Sequence, residues 1–145
     1  MMILKGKVKL TGKLVISLNG EIVQIVNNLV VTAGKDWIAS RMQGVVDSVM
    51  THMAIGTGTT AAVIGDTTLE TEITRDTLAV SGGVVVDNVI TFTATFAAGD
   101  GTGAITEAGP FNHATVGDML ARTVFAVVNK GALDSMTIAW SVTIS

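Results

Sequence analysis

Two segments of the chain alternate large apolar residues with small uncharged ones, at the two-residue period of a β-strand. In Val89–Phe96 and Thr137–Ile144 the apolar positions are Ile90, Phe92, Ala94, Phe96, Ile138, Trp140, Val142 and Ile144. This period predicts two half-buried strands, because successive side chains of a strand point to opposite faces. The outward rows consist of threonine, serine and alanine, so a neighbouring protein surface can cover them at small cost.

A β-hairpin is predicted around Asn19-Gly20. The runs Leu14–Leu18 and Glu21–Val26 flank this dipeptide, and both of its residues tolerate positive φ. Residues 3–10 are expected to form an earlier strand of the same sheet. The pattern predicts further strands near 50–56, 73–81, 104–108, 119–128 and 136–144.

One helix is predicted over about Ala33–Gln43. Thr32 is the expected N-cap, and Gly44 stands where a helix stop is expected. The helical spacing gives an apolar stripe that should pack across the sheet, formed by Trp37, Ile38 and Met42.

Many short strands at even spacing, separated by loops rich in glycine and threonine, indicate the fold class. The chain of 145 residues is expected to be a single all-β domain, an antiparallel β-sandwich or jelly-roll-like domain with one short helix. The only proline, Pro110, is placed next to a strand end, where its missing N–H does little harm. No internal repeat is visible.

The composition indicates a protein whose surface is partly covered by other subunits. Charged residues make up 14% of the chain, against about 25% in typical soluble domains, and hydrophobic residues 48%. The alternative is a monomeric β-domain coated with threonine, serine and glycine. The chain has no cysteine, which fits assembly in a reducing cytoplasm.

Positive charge is concentrated at the N-terminus. Lys5, Lys7, Lys9 and Lys13 stand in the first thirteen residues, which hold no acid; the remaining five basic and twelve acidic residues give a charge of −7. Residues 1–13 are interpreted either as an arm that docks on an acidic neighbour or as an edge strand whose lysines prevent wrong pairing. This acidity disfavours nucleic-acid binding. No apolar run is long enough to span a membrane, and the N-terminus has the wrong charge order for a secretory signal.

No motif for catalysis, cofactor binding or metal binding stands out. The histidines are His52, in a strand-like run, and His113, in a loop, without metal-ligand spacing. The glycine-rich run at 56–60 lacks the end of a phosphate loop and is interpreted as a turn. The acidic stretch that contains Asp66, Glu70, Glu72 and Asp76 lacks calcium-loop spacing and is interpreted as a solvated or interface-facing loop.

Glu107 and Arg122 are predicted to form a structural ion pair. They lie in the two extended segments of Ala104–Phe125, and Arg122 alternates with Leu120 and Val124, so it should lie partly inward. Arg75 is a competing partner for Glu107. A ligand-binding role for the pair is the alternative.

Four blocks of sequence carry a resemblance to a known family. They are Asn28–Ala39, Met50–Ala61, Ile105–Asn112 and Met119–Phe125. In this order they resemble a family of small structural virion proteins of tailed bacteriophages, over about residues 25–145; the family has a larger aliphatic residue where Pro110 stands. The resemblance implies a virion component without enzymatic activity, and it provides no catalytic residues to carry over.

Within a virion, a capsid cement protein is the expected role. Such a protein would be a compact β-domain, here expected to be a homo-trimer bound to a capsid protein and assembled in the host bacterial cytoplasm. The lysines of residues 1–13 are the candidate contacts. A tail, baseplate or fibre-associated protein is the alternative, although a fibre shaft would show repeats. A glycan-binding module would need an exposed aromatic residue such as Trp37 or Trp140.

Overall fold

The computed structural model describes residues 6–44 and 48–145. This part of the chain contains nine strands and one helix. In chain order they are β1 Leu10–Leu18, β2 Glu21–Val30, α1 Thr32–Gln43, β3 His52–Gly56, β4 Glu72–Thr77, β5 Val84–Val86, β6 Val89–Phe96, β7 Gly103–Phe111, β8 Ala121–Lys130 and β9 Met136–Ile144. The predicted all-β fold with one short helix is confirmed.

The strands form one antiparallel sheet in the order β4-β3-β7-β8-β2-β1-β9-β6-β5. Only two residue pairs join its halves, Leu29 with Arg122 and Val30 with Ala121. The sheet curls until the backbone N–H of Ala79, just after β4, donates to the carbonyl of Thr93 in β6 (2.8 Å). One core cluster contains residues from both halves, so the two layers of the predicted sandwich are parts of the same sheet.

The hairpin between β1 and β2 forms as predicted. Asn19 (φ 51°) and Gly20 (φ 82°) both adopt the left-handed conformation that a tight two-residue turn requires. The Asn19 side chain donates to the Asp134 carboxylate (2.9 Å) and accepts from the backbone N–H of Ser135 (3.0 Å). Asn19 therefore fixes both its own turn and the connection between β8 and β9. The bond from Asn19 lowers the pKa of Asp134.

The alternation predicted for β6 and β9 is confirmed over most of both strands. Phe92 and Leu14 flank Trp140 in register, and all three side chains are buried. Ile144, expected on the core face, is instead 45% exposed, because it is the last residue of β9 and the sheet ends there.

The helix is confirmed, but two details of its prediction are wrong. Thr32 is the first helical residue rather than the N-cap, and the N-cap Val31 makes no side-chain hydrogen bond. The backbone N–H of Thr32 donates to the carbonyl of Ile64, so a loop rather than a cap satisfies it. Trp37 and Ile38 pack on the core, whereas Met42 is 87% exposed at the rim of an open groove of about 380 Å³.

Three predicted segments differ from the structure. Within the expected strand at residues 3–10, residues 6–9 lie outside any strand, and residues 1–5 lie outside the described residues. The strand predicted over 73–81 ends at Thr77. The sequence pattern missed β5, because three consecutive valines show no alternation. Among the described residues, no helix is long and apolar enough to cross a membrane.

Gly34→Ala is expected to lower the free energy of unfolding by about 1 to 3 kcal/mol. A β-carbon at Gly34 would lie 1.9 Å from the backbone oxygen of Leu120, so α1 could not keep its close contact with the chain before β8. Urea unfolding followed by circular dichroism measures the loss. The matched control is Gly65→Ala, where the added methyl group meets open space. Equal stability of the two variants would contradict the close contact.

Candidate functional site

The Glu107 carboxylate in β7 is completely buried and fully hydrogen-bonded. Its Oε1 accepts the backbone N–H groups of Gly58 (3.0 Å) and Thr71 (2.7 Å), and its Oε2 accepts that of Glu70 (2.9 Å). Three backbone donors and one cation compensate for the lost hydration of a buried carboxylate.

That cation is Arg122 in β8, so the predicted ion pair is present. Its Nε and Nη2 both contact Oε2 of Glu107, at 3.0 Å and 2.9 Å. Nη1 donates to Asp66 (2.9 Å), Nη2 donates to the carbonyl of Thr60 (3.0 Å), and Glu70 lies 3.6 Å away. Burial lowers the pKa of Arg122, but hydrogen bonds with Glu107 and Asp66 outweigh burial, so the net shift is upward and the guanidinium stays charged.

The pair holds the segment 57–71, which connects β3 to β4. We call Glu107 and Arg122 the loop clamp, because their partners Gly58, Thr60, Asp66, Glu70 and Thr71 all belong to this segment. Both clamp residues point away from the core, and Leu69 of the segment joins a second apolar cluster on the same side. The segment therefore covers the outer side of the half formed by β3, β7 and β8.

Two glycines make the clamp sterically possible. A β-carbon at Gly58 would lie 2.5 Å from Oε1 of Glu107, and one at Gly56 would lie 2.2 Å from the carbonyl oxygen of Thr71. Neither glycine has a positive φ. The interpretation of this glycine-rich run as a turn is therefore wrong at these two positions, which are glycine because the backbone passes close to the buried carboxylate.

Arg75 does not pair with Glu107, so that alternative is wrong. Arg75 in β4 lies opposite Ala54 in the middle of β3, whereas Glu107 in β7 lies opposite Gly56 and on the other side of that strand. The Arg75 guanidinium instead forms a bidentate pair with Glu72 (2.9 and 2.7 Å) and stacks on the ring of Phe111, 3.7 Å from its centroid. It also donates to the carbonyls at 113 and 116, which fixes the loop after β7.

The clamp offers no arrangement for bond-making chemistry. Structural partners occupy both side chains: Glu107 accepts backbone N–H groups and the Arg122 guanidinium, which also bonds Asp66, and no nucleophile lies beside a free base among these contacts. Within residues 6–44 and 48–145, no group of three or more metal-ligating side chains is close enough to hold a metal ion. His52 bonds Thr51 (2.7 Å), and burial followed by the charge of Arg75 lowers its pKa. His113 is exposed.

The protein is expected to lose stability as the pH falls below about 4.5, partly through Glu70. The backbone N–H of Thr60 holds the pKa of Glu70 below its ordinary value of 4.5. The folded state then binds fewer protons than the unfolded chain, so this stability is present above pH 4.5 and is lost as the pH falls through the folded value. Thermal unfolding at several pH values measures it. Glu70→Gln should show a shallower acid loss, and parallel curves would contradict the assignment.

On the other half of the sheet, none of the described residues covers the outward side. We call the outward residues of β2, β1, β9, β6 and β5 the outer face; Lys13 is its only charged residue. Its members are Ile22, Ile25, Asn27, Leu29, Thr11, Lys13, Val15, Ser17, Thr137, Ala139, Ser141, Thr143, Val89, Thr91, Thr93, Thr95, Val84 and Val86.

Hydroxyl groups on the outer face bond one another across strands. Thr91 contacts Ser141 (3.1 Å) and Thr95 contacts Thr137 (2.9 Å). A polar group that already has a partner loses little when water is removed from it. Covering these positions therefore costs less than covering free hydroxyls.

The candidate lysines fall into two environments. Lys7 and Lys9 are exposed in the segment before β1, Lys13 is exposed on the outer face, and Lys5 lies outside the described residues. The interpretation of a lysine-guarded edge strand is wrong for the described residues, because Lys7 and Lys9 lie outside any strand and Lys13 lies in β1, which is inside the sheet between β2 and β9. Of the two tryptophans, Trp140 is buried, and Trp37 is half-buried and donates to the carbonyl of Ser48 (2.9 Å).

Sequence reasoning missed Asp66, Glu70 and Gly58 as parts of the clamp. A buried arginine has five N–H donors, more than one carboxylate satisfies, so a second acidic partner was to be expected. The acidic residues at 66–76 supplied several candidates, and local sequence does not choose between them.

No protein-family model, curated protein or solved structure matches this chain. A functional assignment therefore depends on the arrangement of its own residues and on the sequence blocks described above.

Proposed function

We propose that this protein is a non-enzymatic structural subunit of a bacteriophage virion, and specifically a capsid cement protein. The observation that carries the proposal is the outer face, a surface with a single charged residue, Lys13, that none of the described residues covers, on a protein with few charges overall. Large uncovered surfaces of this kind are typical of proteins that are buried in an assembly. The four sequence blocks point to the same class of particle.

The proposed mechanism is mechanical. Each subunit makes non-covalent contacts with a capsid protein and with copies of itself, and the symmetry of the shell repeats those contacts many times. Repetition raises the effective affinity without any new contact, so a modest affinity per subunit is sufficient. The loop clamp contributes rigidity, because it attaches a long connection to two strands through a buried ion pair.

Charge suggests how the subunit attaches to a shell. Lys7 and Lys9 are exposed on a segment outside the strands, while the rest of the chain is acidic. An acidic capsid surface would attract this segment and repel the body of the protein. Attachment by this segment leaves most of the outer face available for another contact.

Quantitative mass spectrometry of separated heads and tails tests the proposal. Particles of the encoding virus are purified and split, and the protein is counted relative to the major head and tail proteins of the same preparation. Many copies on heads and almost none on tails is the expected result. Recovery in tails alone would overturn the cement role and assign a tail or baseplate role. Absence from the particle would overturn the virion role altogether.

A further inference from the structure

We propose that the outer face packs against the outer face of a second copy of this chain, forming a two-fold symmetric pair. This inference rests on the proposed function, because it identifies one of the contacts that a structural subunit would make. It differs from the trimer expected from the sequence, because two copies suffice to cover a face that matches itself.

The two halves of the sheet differ in what covers their outer sides. Segment 57–71 lies over the half formed by β3, β7 and β8, where Glu107 and Arg122 bond it and its own Leu69 belongs to the second apolar cluster. Among the described residues, no corresponding segment lies over the outer face. Ile22 (62%) and Ile25 (60%) are consequently more exposed than is usual for isoleucine on a strand.

The chemistry of the outer face favours an uncharged partner. A charged partner surface would lose its hydration on contact and find only Lys13 in exchange. A second outer face makes no such demand, because it brings no acidic group and four of its hydroxyls are already paired within the face, Thr91 with Ser141 and Thr95 with Thr137. The long Lys13 side chain can reach the solvent from between two sheets.

The area of the outer face is sufficient for a stable pair. Four strands spaced about 4.8 Å apart, with four outward rows about 6.7 Å apart, and the short β5 together cover about 600 Å². Two copies would bury about 1,200 Å², which lies at the lower end of the range for specific protein interfaces.

The distribution of side-chain sizes fits a two-fold axis along β9. β9 is the middle strand of the outer face, and its outward residues are small, including Ala139 and Ser141. Small residues at the centre allow two sheets to approach to about 10 Å. Rotation about this axis places the β2 margin of one copy, with Leu29, against the β5 margin of its partner, with Val84 and Val86.

Size-exclusion chromatography with light scattering, carried out on the full chain, measures the molar mass of the protein in solution and so tests for the pair. The natural protein should elute with twice the monomer mass of 14.9 kDa at micromolar concentration. Ala139→Glu introduces a carboxylate beside the axis in each copy. The dissociation constant of the pair should therefore rise by about a hundredfold or more. Ala114→Glu makes the same change in the loop after β7, and this control should stay paired.

A second pair of variants covers the case in which Ala139→Glu fails to fold, as judged by circular dichroism. Thr93→Glu lies on the outer face, and its control Thr77→Glu lies at the end of β4. A monomeric or trimeric natural protein, or a Thr93→Glu variant that stays paired, would overturn the inference. Finding a monomer that still resides on heads would leave the cement proposal intact. A pair that is absent from virions would leave the inference intact and overturn the cement proposal.

Discussion

Arg122→Met is expected to lower the free energy of unfolding by about 3 to 5 kcal/mol, the loss typical when one partner of a buried ion pair is removed. Glu107 would remain as a completely buried carboxylate without its cation, and Asp66 would lose its bond from Nη1. Urea unfolding, followed by circular dichroism and tryptophan fluorescence, measures the change. The control is Arg41→Met, which makes the same substitution on the exposed surface of α1. It should lower the free energy of unfolding by at most about 1 kcal/mol.

The double variant Glu107→Met with Arg122→Met separates a simple ion pair from a loop clamp. An ion pair replaced by two apolar side chains often regains its lost stability. Here the backbone N–H groups of Gly58, Glu70 and Thr71 would lose their acceptor, so we expect no recovery. Hydrogen exchange in residues 57–71 should also accelerate. Full recovery with unchanged exchange would contradict the clamp.

Trp140→Ala is expected to cost about 3 to 5 kcal/mol of unfolding free energy, because it leaves a large cavity in the core. Trp140 is fully buried in the centre of β9 and lies in register between Leu14 and Phe92. The surrounding strands are held by ladders on both sides, so the cavity has little room to collapse. Calorimetry should show a fall in the unfolding temperature of many degrees.

The variant Trp140→Phe separates the contribution of the ring volume to stability from the contribution of the indole N–H. The Nε1 atom of Trp140 is buried and has no hydrogen-bond partner among the described residues. Phenylalanine removes this unpaired donor and keeps most of the apolar volume, so we expect less than half the loss of the alanine variant. Equal losses in the two variants would mean that Nε1 has a partner that phenylalanine cannot replace.

The strands that sequence predicted well are those in which one face is buried and the other is not. In β6 and β9 this difference imposes a strict two-residue alternation, and Asn19-Gly20 marks the hairpin through backbone preference alone. The short β5 escaped prediction because its three valines are all exposed and carry no alternation. Thr32 was a poor guide to the helix start, because the loop carbonyl of Ile64 satisfies its N–H instead.

The candidate site divides along similar lines. The pairing of Glu107 with Arg122 could be predicted, because the two residues lie on neighbouring antiparallel strands. The roles of Asp66, Glu70 and Gly58 could not, because they reach the clamp through a long connection whose path leaves no local periodicity. The sequence could not exclude Arg75 as a partner of Glu107 either, because only the pairing of β4 and β7 with β3 shows that the two residues lie apart.

By itself the sequence determined the class of this fold, its main strands, its first turn and the low charge of its surface, because backbone preference and burial act on residues close together in the chain. Only the tertiary structure decided which half of the sheet has its outer side covered. That choice depends on segment 57–71 bonding to two buried charges far away in sequence. The half that this segment leaves bare is the surface from which we infer that the protein binds another copy of itself.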